Sequence, residues 1–306
     1  MAVGKAPSKD TFWTSSNGAQ STTRGGCDKT GCPPDHSTPA AELHTMLALL
    51  STGPVGFSDA PNETDATLIL RTCDAAGNLL QPSRPIVAVD STLDVTPGGA
   101  PLGYVLSTHT AVDGAVWAYF VLAHQLRAAF TVTLRDLWPA PAQGGALSIA
   151  ASVNALRGCA RGSPASACNV SQVPLAPGAA STLPLFAYSA VPQGMDAFTP
   201  HLAILAPLCP APSGSGAGLA FFGEVDKVAA VSVQRFPALA CGSSGALPSV
   251  SARVAGQAGE TVALSWVDWS SAAVGVVQSD SYTFSAAGKG PQAATCVITG
   301  AAMSCA

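Results

Sequence analysis

A mainly β fold is the class this sequence predicts: the last βα units of a (β/α)8 barrel, followed by an antiparallel β-sandwich region. Three observations predict it. Residues 41–71 read as helix, strand, loop, helix. From Ile86 onward the pattern changes to a dozen short apolar runs. Gly and Pro punctuate nearly every gap between those runs, as they do where short strands are joined by turns.

In the first of these stretches, residues 42–50 place Leu43, Met46, Leu47 and Leu50 on one helical face. Ser51-Thr52-Gly53-Pro54 ends that helix. Val55-Gly56-Phe57 is a short apolar strand that stops at Ser58-Asp59. Asn62 or Thr64 is then placed to cap a second helix holding Leu68, Ile69 and Arg71. In a βα barrel the chemistry sits on the loops after the strand C-termini, which sets Ser58, Asp59 and Asn62 at the mouth. The plain alternative is an ordinary βα turn with a solvated Asp59. Upstream, Phe12-Trp13 reads as the end of a short strand, and residues 16–40 as a long Gly/Ser/Pro/Cys loop carrying His36. The turn-rich stretch 72–85 marks a boundary near residue 80. Residues 1–80 are thus read as a barrel remnant and 81–306 as the β-sandwich region, with a weaker stretch at 140–180 where that region would divide.

The predicted strands are 86–90, 103–108, 116–123, 130–134, 183–189, 201–206, 218–222, 228–233, 250–254, 262–267, 282–285 and 295–298. They are expected in two packed antiparallel sheets. The run at 116–123 is apolar throughout and reads as a central strand, with Trp117 and Tyr119 on one face by the period of two. Trp117, Trp138, Trp266 and Trp269 are expected as core or half-buried sheet residues. Glu224, Asp226, Lys227 and Arg235 read as a solvated ion-pair cluster.

Composition narrows the function. Of 306 residues 48% are hydrophobic and only 10% charged, which describes a folded chain with a large core. A net charge of −4 without any basic run argues against nucleic acid as a partner. No apolar stretch reaches the roughly 18 residues of a membrane span. The N-terminus MAVGKAPSKD lacks the apolar segment of a signal peptide. The nine cysteines point the other way, to an oxidising compartment. Three pairs close short loops, so Cys27–Cys32, Cys159–Cys168 and Cys296–Cys305 are expected as disulfides. Of Cys73, Cys209 and Cys241, at least one is left over, because nine is odd. With no CxxC and scattered histidines, no metal site is expected. Asn62-Glu63-Thr64 and Asn169-Val170-Ser171 are glycosylation sequons. Secretory features without a signal peptide fit the C-terminal part of a longer secreted precursor. Gly53-Pro54-Val55-Gly56 lacks the Gly-Lys-Ser/Thr ending of a phosphate loop, and there is no G-x-S-x-G elbow. No cofactor is expected.

Three stretches then carry a resemblance. The first is Asp10-Thr11-Phe12-Trp13, with Ala41-Glu42-Leu43-His44 after a loop. The second is Thr52 to Pro61, TGPVGFSDAP, followed by Asp74, Gly77, Leu79-Leu80 and Arg84-Pro85. The third is Gly218 to Lys227, GLAFFGEVDK, with Val231 to Phe236 after it. Together they resemble the C-terminal part of raffinose synthase and alkaline α-galactosidase-like proteins, in the clan of retaining α-galactosidase-type glycoside hydrolases. The resemblance covers residues 1 to about 95 and extends more loosely into the β region. It implies a (β/α)8 barrel followed by an antiparallel β domain, acting on α-galactosides through a nucleophile and an acid/base carboxylate. In the family both carboxylates precede the stretch matching Asp10–Trp13, so neither maps here. What maps are strand-end residues near the sugar: Asp10, Trp13, Ser58 and Asp59. A complete barrel needs roughly 250 residues, and the region before residue 80 holds two units. The expectation is a C-terminal fragment of a glycosidase-like protein, inactive alone, with carbohydrate as its partner. The alternative is a non-catalytic secreted β-sandwich module that binds carbohydrate or serves a structural role.

Overall fold

The computed structural model describes residues 11–14, 41–59, 61–90, 103–124, 126, 130–141, 146–175, 182–186, 200–212, 217–271, 274–288 and 290–306. Asp10, His36 and the expected Cys27–Cys32 pair lie outside the described residues.

Helix α1 (Ala41–Leu50) is built from strong helix formers and buries Leu43, Met46, Leu49 and Leu50. Leu47, expected on that face, is half-buried, and Leu49 takes its place. Helix α2 (Ala66–Leu70) is capped by neither Asn62 nor Thr64. The side chain of Asp65 accepts the Leu68 N–H at 3.1 Å. An N-cap must directly precede the first helical residue in an extended conformation, as Asp65 does, whereas Asn62 sits earlier in a turn with φ of +69°.

The remainder is mainly β, and every strand pairing among the described residues is antiparallel. β1 (Val87–Ala88), β2 (Tyr104–Val112) and β3 (Ala115–His124) are followed by β4 (Phe130–Thr133), β5 (Ala146–Ala150), the short helix α3 (Val153–Arg157) and β6 (Val170–Pro174). Then come β7 (Thr182–Phe186), β8 (His201–Pro210), β9 (Gly218–Gly223), β10 (Ala238–Ser244) and β11 (Leu247–Gln257). β12 (Thr261–Ser271), β13 (Val274–Thr283), β14 (Pro291–Thr299) and β15 (Ala302–Cys305) complete the chain. A nine-stranded sheet runs β1-β2-β3-β8-β9-β12-β13, with β5 pairing both β8 and β6. A four-stranded sheet runs β10-β11-β14-β15, and β4 pairs β7.

β3 and β8 are buried on both faces, so their sequences are continuously apolar rather than alternating. On one face Phe120, Leu122 and Ile204 meet helix α1, Phe221 and Trp266, together with Val250, Ala252 and Val254 of β11 and Ile298 of β14. This is the shared core of a sandwich between the two larger sheets. On the other face Tyr119, Val121 and Leu205 pack with Val132, Leu137 and Leu147. Trp117 does not share the face of Tyr119. Thr110 pairs with Ala118 but Ala111 with Val116, so Trp117 is the extra residue of a β-bulge and turns into the core of Phe120. The β2–β3 hairpin turns on Asp113-Gly114, with φ of +51° and +80°, the pair of positive angles that a two-residue turn of this hand needs.

Residues 228–233, expected as a strand, do not form one, although 228–232 are fully buried. Their backbone groups bond outside any ladder. The Val228 N–H donates to the Arg71 carbonyl, while the Ala230 carbonyl accepts the Glu224 N–H and that of Val231 the Thr110 hydroxyl. Gly223 makes this return possible: its φ is +76°, and a Cβ there would lie 2.2 Å from the Ala230 oxygen.

Of the charged cluster at this bend, Glu224 and Arg235 are buried rather than solvated, while Asp226 is exposed and Lys227 half-buried. Arg235 is 1% exposed and bonds Glu224 at 2.8 Å, Glu260 at 2.6 Å and the Ala255 carbonyl at 2.7 Å. Burial works to raise the Glu260 carboxyl, but the hydrogen bond from Arg235 and the backbone donors Gln257 and Ala75 hold it below its ordinary value. Lys227 donates to the Leu70 and Cys73 carbonyls, so this bend also clamps the residues that follow α2.

Cys159–Cys168 and Cys296–Cys305 form as expected, with Cα separations of 5.8 and 4.0 Å. Cys209 of β8 and Cys241 of β10 form a third disulfide, which ties the two larger sheets together. Cys73, buried, is the free thiol among the described residues.

Candidate functional site

Val55-Gly56-Phe57 and Phe12-Trp13, expected as strand and strand end, form no strand but lie side by side at one isolated bridge. Phe12 and Phe57 form a parallel bridge. The Ser58 N–H donates to the Phe12 carbonyl at 2.9 Å, and the Phe12 N–H to the Gly56 carbonyl at 3.4 Å. The close approach suits Gly56, where a Cβ would stand 3.2 Å from the Thr11 methyl. Extended backbone alternates its side chains, and residues 12–14 follow that rule. Phe12 and Thr14 are buried and Trp13 is 41% exposed. The Phe12 ring stacks on His44 of α1, with centroids 6.0 Å apart, so the helix covers the inner side of the pair.

Asp59 is the knot of this mouth. Its Oδ1 accepts the Thr14 N–H at 2.8 Å and its Oδ2 the Thr14 hydroxyl at 2.7 Å. The same hydroxyl accepts the Asp65 N–H at 2.7 Å. One threonine therefore binds both strand ends to the start of α2. Arg71, at the end of α2, pairs with Glu42 of α1 at 2.9 Å and ties the two helices together.

The structure thus brings Trp13, Ser58 and Asp59 to one edge, while Asp10 lies outside the described residues. Ser58 is exposed, and Phe57 is 45% exposed. Phe57 adds a second outward aromatic ring that the sequence reading did not single out. Thr14 was also missed, and no local signal points to it: its partner Asp59 is 45 residues away. Asp59 and Asp65 are both committed to holding backbone, Asp65 through the cap of α2. Glu63 supplies a further carboxylate, whose Oε2 is shielded from solvent and has no hydrogen-bond partner among the described residues. Chemically, this edge offers two aromatic faces, the Ser58 hydroxyl and the Asp59 carboxylate. These groups suit contact with a polyhydroxylated ring.

Of the four tryptophans expected as core or half-buried, Trp117, Trp266 and Trp269 are buried, but Trp138 is 58% exposed. It follows a short 3-10 turn at Leu134–Asp136, which carries it to the surface beside β2. Among the described residues, no group of three or more His, Cys, Asp or Glu side chains is placed to hold a metal ion. No described helix is long and apolar enough to cross a membrane, which leaves β-barrel membrane proteins unaddressed. No family model matches the chain, and no curated protein matches it.

Proposed function

We propose that this chain is the C-terminal portion of a glycoside hydrolase-like protein acting on α-galactoside-type carbohydrates, able to bind sugar at its strand ends but not to cleave it alone. The parallel bridge between Phe12 and Phe57 carries this reading. Parallel neighbours joined through a helix are a βαβ unit, which the antiparallel sheets of the remaining chain do not otherwise use. A βα unit leading into an antiparallel sandwich is the order implied by the resemblance to raffinose synthase-like proteins.

In this reading residues 1–80 are the last units of a (β/α)8 barrel. Trp13 stacks on the apolar face of the sugar, and Ser58 and Asp59 accept its hydroxyl protons, with Asp10 assigned the same role by the resemblance alone. The carboxylate pair of the retaining reaction belongs to earlier strands of such a barrel. The three disulfides, together with sequon residues Asn62 and Asn169, both exposed, support a secreted glycoprotein. The second reading, a non-catalytic secreted sandwich that binds carbohydrate, is favoured by the exposure of Trp138.

The test is incubation of the purified chain with an aryl α-galactoside and with raffinose. No turnover is expected, because groups not fixed against a partner lose most of the benefit of orientation. Turnover that disappears in an Asp59→Asn variant would show a complete site and overturn the proposal.

A further inference from the structure

We propose that a cleft beside the stacked Arg84 and Trp138 side chains binds a small organic carboxylate carrying a flat apolar ring. The proposal does not rest on the glycosidase reading. The cleft has a volume of about 520 Å³ and is lined by Arg84, Ile86, Val87, Ser107, His109 and Trp138, among others. That volume is in the range of small-molecule sites.

Both walls are fixed to the sheet. On one side the Ser83 N–H donates to the His109 carbonyl at 3.0 Å, and the Thr108 hydroxyl to the Arg84 carbonyl at 2.6 Å. On the other, the Ser107 hydroxyl donates to the Asp136 carbonyl at 3.1 Å and the Tyr119 hydroxyl to the Pro139 carbonyl at 2.7 Å. The residues before β1 and the turn carrying Trp138 are therefore held on β2 and β3, and the cleft beside them needs no rearrangement to accept a ligand.

Its chemistry is asymmetric. The Arg84 guanidinium lies 4.0 Å from the centre of the Trp138 ring. None of the four ion pairs among the described residues includes it. A stacked, oriented guanidinium without a carboxylate presents its donor fork to an incoming one. His109 is buried and packs edge-on to Trp138 at 5.8 Å. Burial first, and then the charge of Arg84, push its pKa down, which leaves Arg84 as the cation of the cleft near neutral pH. The Ser107 and Thr108 hydroxyl protons are already given to the Asp136 and Arg84 carbonyls, and Pro85, Ile86, Val87 and the indole make up the apolar part of the lining. A ligand body rich in hydroxyls would be stranded against them, whereas a flat apolar ring is not.

Calorimetric titration of the whole chain with benzoate, benzyl alcohol and galacturonate tests this. Benzoate should bind saturably, with benzyl alcohol and galacturonate each at least about tenfold weaker, the scale of one charge-assisted pair. Arg84→Gln should lower benzoate affinity by a similar factor and leave benzyl alcohol unchanged. Trp138→Ala should weaken both. Arg84 and Trp138 are exposed, so the variants should keep the wild-type melting temperature. Arg84→Lys, which keeps the charge but loses the fork, should fall between wild type and Arg84→Gln. Benzyl alcohol bound as tightly as benzoate, a preference for galacturonate, or an Arg84→Gln variant that binds benzoate normally would each overturn the proposal.

Discussion

Replacing Arg235 with Met should destabilise the fold by about 3–5 kcal/mol, enough to remove much of the stability of a typical domain. The size follows from what is left behind. Arg235 neutralises two carboxylates, Glu224 and Glu260, whose side chains are 6% and 8% exposed. Without the guanidinium both are confined with little water, only Lys227 still acts on Glu224, and the Ala255 carbonyl loses a donor. A triple variant, Glu224→Gln, Arg235→Met and Glu260→Gln, separates this cause from lost packing. Both carboxylates are then neutral, and the amide oxygen introduced by Glu260→Gln can still accept one of the Ala75 and Gln257 N–H groups. At least half of the loss should therefore return. Urea unfolding of the three proteins measures it. A single variant within about 0.5 kcal/mol of wild type, the range of ordinary surface substitutions, would show that the triad is not what holds this bend.

The second large effect belongs to the disulfide between the sheets. Cys209 and Cys241 are 32 residues apart, so their bond closes a longer loop than Cys159–Cys168 or Cys296–Cys305, each with a separation of nine. On the chain-entropy account, replacing both Cys209 and Cys241 with Ala costs about 3–4 kcal/mol, against about 2–3 kcal/mol for either short loop. The long bond also joins β8 to β10, elements of separate sheets, whereas Cys296 and Cys305 face each other on neighbouring strands of one sheet. The denaturant midpoint should therefore fall furthest in the Cys209/Cys241 variant. An equal fall in all three variants would contradict the ranking.

The sequence made the β architecture legible because turn residues and short apolar runs are local signals. Strands β2, β3, β8, β9, β11 and β12 all overlap their predicted runs. It failed where a tertiary partner decided the outcome. Residues 228–233 are as apolar as a strand, yet their carbonyls are satisfied by Thr110 and by the turn at Gly223. Strands β5, β6 and β10, rich in Ala, Ser, Gln and Gly, carry too little apolar contrast to stand out before the structure pairs them. Arg235 read as solvated because charge is usually outside, and only the fold shows its two carboxylate partners closing over it. At the strand ends, Trp13, Ser58 and Asp59 were legible as neighbours of strand termini. The hold of Thr14 on Asp59 was not, because it joins residues 45 positions apart in the sequence.

The most direct test of the account is saturation-transfer NMR on the intact chain with methyl α-galactoside. The account predicts transfer to the sugar protons that raffinose competes away, that is lost in Trp13→Ala and that persists in Trp138→Ala. Absence of transfer, or transfer that survives in Trp13→Ala and vanishes in Trp138→Ala, would contradict a sugar site at the paired strand ends.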